Sequence, residues 1–140
     1  TSITVSDGSI ANGAGLAVTV SPGAAERIAW SNPTSTGTLG SPCLFTCTGT
    51  GLGNSGNFKA NVSITDSSGN KVSALGSGHA VTVTAASGTV TGGTLTIPST
   101  GLAESATQFT YTPKNAGAVT LTAATSSGTV YTSATATMTR

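Results

Sequence analysis

From Phe58 to Thr139 the chain alternates apolar and hydroxyl residues almost without a break. The runs are Phe58-Lys-Ala-Asn-Val-Ser-Ile-Thr65, Val81-Thr-Val-Thr84, Thr94-Leu-Thr-Ile97, Phe109-Thr-Tyr-Thr112, Val119-Thr-Leu-Thr-Ala123 and Ala134-Thr-Ala-Thr-Met138. A period of two places successive side chains on opposite faces of a strand, one face buried and one wet. Gly, Asn, Asp, Ser and Pro separate the runs, and short strands at this spacing predict an all-β sandwich. In the first run Phe58, Ala60, Val62 and Ile64 are predicted to face the core, with Lys59, Asn61, Ser63 and Thr65 outside. Asp66-Ser-Ser-Gly-Asn70 then reads as a turn, since Asp caps it and Gly or Asn tolerates positive φ. No segment carries a helical period.

Charge narrows the function classes. Charged residues make up 6% of the 140 residues, against about 25% in an average globular protein. Net charge is +1, and β-branched residues are abundant, which favours order over disorder. Phosphate recognition wants clustered cations. The five here, Arg27, Lys59, Lys71, Lys114 and Arg140, are scattered, so nucleic acid is not an expected partner. No apolar run approaches the ~20 residues of a membrane helix, and membrane insertion is not expected. The chain begins at Thr1 and reads as a mature product or a piece of a longer protein. A surface solubilised by hydroxyls points to an extracellular, cell-surface or virion setting.

The amino-terminal segment stands apart. Ile3-Thr-Val-Ser6, a turn from Asp7-Gly8 to Gly15, and Leu16-Ala-Val-Thr-Val20 read as a hairpin that parallels the last hairpin of the chain. An isolated hairpin is marginal in water. It folds back on its own domain, belongs to a tandem array, or adds to a sheet edge of another subunit. Ile3, Val5, Leu16, Val18 and Val20 are its candidate assembly residues. Pro22-Gly23 breaks the chain, so residues 1–23 form this element and residues 24–140 the sandwich. The first sandwich strand is expected through Arg27-Ile-Ala-Trp30. Residues 31–57 read as loop-rich, and a segment of that length is expected to be functional or stapled. Cys43 and Cys47 are predicted to form a small disulfide ring there. Their spacing fits neither a CxxC redox motif nor a zinc site.

The residues Ala60-Asn-Val-Ser-Ile-Thr-Asp-Ser-Ser-Gly-Asn-Lys-Val72, then Val81-Thr-Val83, Phe109-Thr-Tyr-Thr112 and Ala116-Gly-Ala-Val-Thr-Leu-Thr-Ala123 resemble a bacterial immunoglobulin-like domain of the invasin/intimin kind. The resemblance spans roughly residues 24–139. It implies an immunoglobulin-like β-sandwich, here with an extra amino-terminal hairpin. Similar modules serve as stalk repeats of surface adhesins and as appendages of phage tail and capsid proteins. The chain departs from the family pattern in its Pro42–Cys47 segment and Gly-rich loop.

The chemistry-bearing residues are few. Asp7, Glu26, Asp66 and Glu104 are the four carboxylates. Asp66 is explained by its turn, and Glu26 and Glu104 are expected to be solvated, so the facing pair of a glycosidase is not expected. His79, the one histidine, lacks a nucleophile-elbow context and reads as a loop or strand-start residue. Calcium would need more oxygen ligands than the Asp66 turn offers. A Lys–Asn isopeptide bond is disfavoured, since Lys59 should face outward while Lys71 and Lys114 sit in turns. Asn61-Val-Ser63 is a glycosylation sequon on the predicted outer face.

The sequence therefore predicts no enzyme and no cofactor. It predicts a structural or display module whose partners are copies of itself or a larger scaffold. The rival is an adhesin or carbohydrate-binding module contacting a cell-surface glycan, with Trp30, Leu52 and Asn54 as candidate contacts. A phage capsid or tail decoration protein is a third reading.

Overall fold

The computed structural model describes residues 2–3, 16–17, 21–35, 46–51, 57–114 and 116–139. Every regular element among them is a strand. Two very short ones, β1 (Ser2–Ile3) and β2 (Leu16–Ala17), pair antiparallel with Ile3 opposite Leu16. The rest of the predicted hairpin, including Val5, Val18 and Val20, lies outside the described residues.

The remaining strands form two sheets. The first contains β3 (Arg27–Ser35), β5 (Phe58–Thr65), β7 (Thr89–Thr91) and β9 (Phe109–Thr112) in the spatial order β3-β5-β9-β7. The second contains β4 (Thr46–Gly51), β6 (His79–Ala85), β8 (Thr94–Ile97), β10 (Ala118–Ser127) and β11 (Ala134–Thr139) in the order β4-β11-β10-β6-β8. All pairings between these strands are antiparallel except that of β4 with β11, which is parallel. The architecture is all-β and consistent with a β-sandwich.

The period of two places one hydrophobic core between the sheets. Ile28, Trp30, Phe58, Ala60, Val62, Ile64, Phe109 and Tyr111 come from the first sheet. Val81, Val83, Leu95, Ile97, Leu121, Ala123, Ala134, Ala136 and Met138 come from the second. Trp30, Phe58 and Phe109 pack ring against ring, with centroids 5.5–6.2 Å apart in tilted and edge-on geometries. Such arrangements suit the aromatic quadrupole. The Trp30 indole N–H also crosses to the second sheet, donating to the Thr135 carbonyl at 3.0 Å.

Three expectations change. Residues 31–57 hold more strand than loop chemistry suggests, because β3 continues to Ser35 and β4 occupies Thr46–Gly51. Thr89–Thr91 forms β7, a strand too short to carry a legible alternation. The outer face of β5 is not wet. Asn61, Ser63 and Thr65 are buried, whereas Lys59 is exposed. The cause is a segment of irregular chain that continues the sheet beyond β9. Ile64 N–H donates to Ala103 O, Ser105 N–H donates to Val62 O, and Ser63 bridges Glu104. Lys71 bridges Thr65 along the same edge. Side chains from this edge then lie over β5.

Candidate functional site

Glu104 is the centre of the only dense polar cluster among the described residues. Its row in the sheet runs Ala29, Ser63, Glu104, which sets its side chain on the outer face. From one side of β5 it reaches across to β3 on the other. Oε1 accepts from Ser31 Oγ and, at 2.9 Å, from Asn32 Nδ2. Oε2 accepts from Lys71 Nζ at 2.8 Å. The side chain is 17% exposed, not solvated as the sequence suggests. Burial alone would raise the Glu104 pKa, but the Lys71 and Ser31 hydrogen bonds, the Lys71 charge and the Asn32 bond outweigh it and hold the carboxyl below its ordinary range. It is therefore an ionised acceptor.

Asn61 is the second anchor. Its Nδ2 donates to Ser105 O at 2.7 Å and to Thr107 O at 3.1 Å. Ser105 Oγ accepts from Val62 N–H and donates to Thr107 O. These bonds patch the gap in the ladder between residues 102–105 and β9. An amide used in this way, on a buried side chain, is no glycan acceptor in the folded protein, so the sequon expectation is corrected.

Asn32 lies at the exposed end of the cluster with φ 48°, the left-handed region. Its Nδ2 also lies 3.5 Å from Asn61 Oδ1. Its carbonyl accepts from Gln108 Nε2 at 3.2 Å. Lys71 and Asn32 thus share one carboxylate. Lys71, expected in a turn, instead bridges Thr65 at the sheet edge and pairs with Glu104.

Two other polar sites stand apart. Asp66 is confirmed as a turn cap. Its Oδ1 accepts from the Ser68 and Asn70 amides, and its Oδ2 from Asn70 Nδ2 and the Gly23 amide. The Asn70 side chain and the Gly23 amide, opposed by modest burial, hold its pKa at about 2. His79 opens β6, is buried, and sits against Tyr131 with Nε2 3.3 Å from the Tyr131 hydroxyl. No group of three or more His, Cys, Asp or Glu side chains suited to a metal occurs among the described residues. No helix among them is long and apolar enough to cross a membrane.

Of the contact residues named from sequence, Trp30 is 1% exposed and belongs to the core. It presents no ring to a ligand. Leu52 and Asn54 lie outside the described residues, as does Cys43 of the predicted disulfide; Cys47 contributes its backbone to β4. Ile3 and Leu16 are opposite each other in β1 and β2. Residues Ser31, Asn32, Gln108 and Lys71 enter the cluster through long-range pairing, which no local pattern announces. The one available signal was Glu104, one of four acids in a nearly uncharged chain.

Comparison with protein-family models, with curated proteins and with solved structures finds no match.

Proposed function

We propose that the chain is a non-enzymatic structural module with an immunoglobulin-like fold of the bacterial invasin/intimin kind. It is displayed outside a cell envelope or virion and assembles through its sheet edges and residues 1–23. The observation that carries this reading is the state of the edges. β4, β7 and β8 each end a sheet, and none contains Lys, Arg, Asp, Glu or Pro. Natural sheets guard exposed edges with charge, proline or cover, because unpaired backbone groups template further pairing. β7 and β8 are blunted only by their shortness, at three and four residues, and β4, at six, lacks even that, so these edges suit a protein that joins other strands.

Strand order supports the immunoglobulin-like part. In that fold one sheet runs A-B-E-D and the other carries C, F and G. The order β3-β5-β9-β7 matches the first, and β11-β10-β6 matches G-F-C. Here the strand at the D position (β7) precedes the one beside C (β8), a local departure from that plan. The charge-poor, hydroxyl-rich surface supports display outside the cell.

Light scattering across a concentration series tests the proposal. The full chain is expected to form discrete oligomers or growing polymers, reduced when residues 1–23 are removed. A single-chain mass at every concentration would overturn it.

A further inference from the structure

We infer that the Asn32–Pro33 peptide bond is a site of self-cleavage, driven by cyclisation of the Asn32 side chain. Four features meet at this bond. Proline has no N–H, so the usual route of asparagine deamidation, attack by the following amide nitrogen, is closed at Asn32. The remaining imide-forming route is attack by Asn32 Nδ2 on its own carbonyl carbon, a five-membered ring closure that needs no second molecule. Nδ2 is held 2.9 Å from Oε1 of Glu104, an acceptor for its proton. The carbonyl under attack already accepts from Gln108 Nε2 at 3.2 Å, a donor placed where negative charge develops. The backbone of Asn32 has φ 48° immediately before a proline, a conformation that sterics disfavour and that scission releases.

The step balances within the chain. The Nδ2–C bond forms and the C–N bond to Pro33 breaks. The proton leaves Nδ2 for Glu104 and passes to the Pro33 nitrogen as it departs. One product ends in a succinimide at Asn32, which water later opens. The other begins at Pro33 with a free secondary amine. Lys71 on Oε2 and Ser31 on Oε1 hold the carboxylate in place. Residues Arg27–Ser31 stay paired to Asn61–Thr65 and Trp30 stays in the core. The nicked protein therefore remains one folded particle.

Purified full chain, incubated at neutral and mildly alkaline pH and sampled by denaturing intact mass, tests this. The expected result is two fragments, 1–32 and 33–140. The first carries the imide, one water lighter than its hydrolysed form. The unseparated sample elutes as one native particle. Asn32→Gln abolishes the fragments. Glu104→Gln slows them on the order of 10²-fold as a lost proton acceptor. Gln108→Ala, which alters only an exposed bond, slows them on the order of 10²-fold as a lost oxyanion donor. Asn12-Gly13, which has the ordinary deamidation route open, serves as a clock in the same tube. Deamidation at Asn12 with no new Pro33 terminus would overturn the inference. So would fragments that persist in Asn32→Gln, which would mark a protease, or loss of ammonia with a Lys71–Asn32 cross-link instead of a nick.

Discussion

Asp66 shows how much one side chain carries in a chain with four carboxylates. It closes its own turn through Ser68 and Asn70 and ties down the Gly23 amide, 43 residues away. Its pKa near 2 compares with an ordinary 3.8. The unfolded chain binds this proton more readily than the folded one, so the stabilisation is complete above the unfolded value and disappears as pH falls toward the folded one. Glu104, also lowered from its ordinary 4.5, acts in the same direction. Thermal unfolding followed from pH 7 to pH 2 is expected to show a falling midpoint below about pH 4. Asp66→Asn is expected to lower the midpoint at pH 7 and flatten the acid slope. An unchanged slope would show that the cap is not where the acid sensitivity lies. Trp30 makes the complementary case in the core. Trp30→Ala removes the centre of the aromatic cluster and the bond to Thr135, and is expected to cost about 3–5 kcal/mol in chemical denaturation.

At the scale of elements, the turn at Gly88 fixes how β6 leaves one sheet for β7 in the other. Gly88 has φ 89°, and a Cβ there would lie 2.6 Å from Thr112 O and from Tyr111 Cε2. Gly88→Ala is expected to destabilise by more than about 1 kcal/mol, because both the backbone conformation and the space forbid it. A neutral result would mean that β7 is not held against β9. The core faces of β5, β6, β8, β9, β10 and β11 were legible in the sequence, since alternation over four or more residues leaves one choice of face. Asp66-Ser-Ser-Gly-Asn70 was legible because turn chemistry is local. The buried outer face of β5 was not. Alternation says which residues share a face, but not whether residues 102–105 and Lys71 come to cover it. For the same reason the Glu104 cluster was invisible. Its members span Ser31 to Gln108 and meet only once β3, β5 and the 102–108 segment are in register. Alternation marks Trp30 as a strand residue and its ring as a candidate contact, and only the packing of Phe58 and Phe109 against it places it in the core.

The whole molecule combines a well-filled core with three sheet ends, β4, β7 and β8, that carry neither charge nor proline, whereas the fourth, β3, carries Arg27 and Pro33. A sandwich of this kind needs no partner to bury its apolar side chains. Among the described residues no strand pairs with the outer edges of β4, β7 and β8. Assembly in this account therefore proceeds by strand addition, with hydrogen bonds rather than a hydrophobic patch as its main contact. Charge placed on an edge should oppose it: Thr94→Lys with Thr96→Lys in β8, both at exposed positions, is expected to weaken self-association in sedimentation while leaving the unfolding midpoint nearly unchanged. The most direct test is amide hydrogen exchange at the edge strands across a range of protein concentrations. The account predicts that amides in β4, β7 or β8 become protected as concentration rises, while those of the central strands β5 and β10 stay constant. Edge amides that exchange equally fast at every concentration would contradict it.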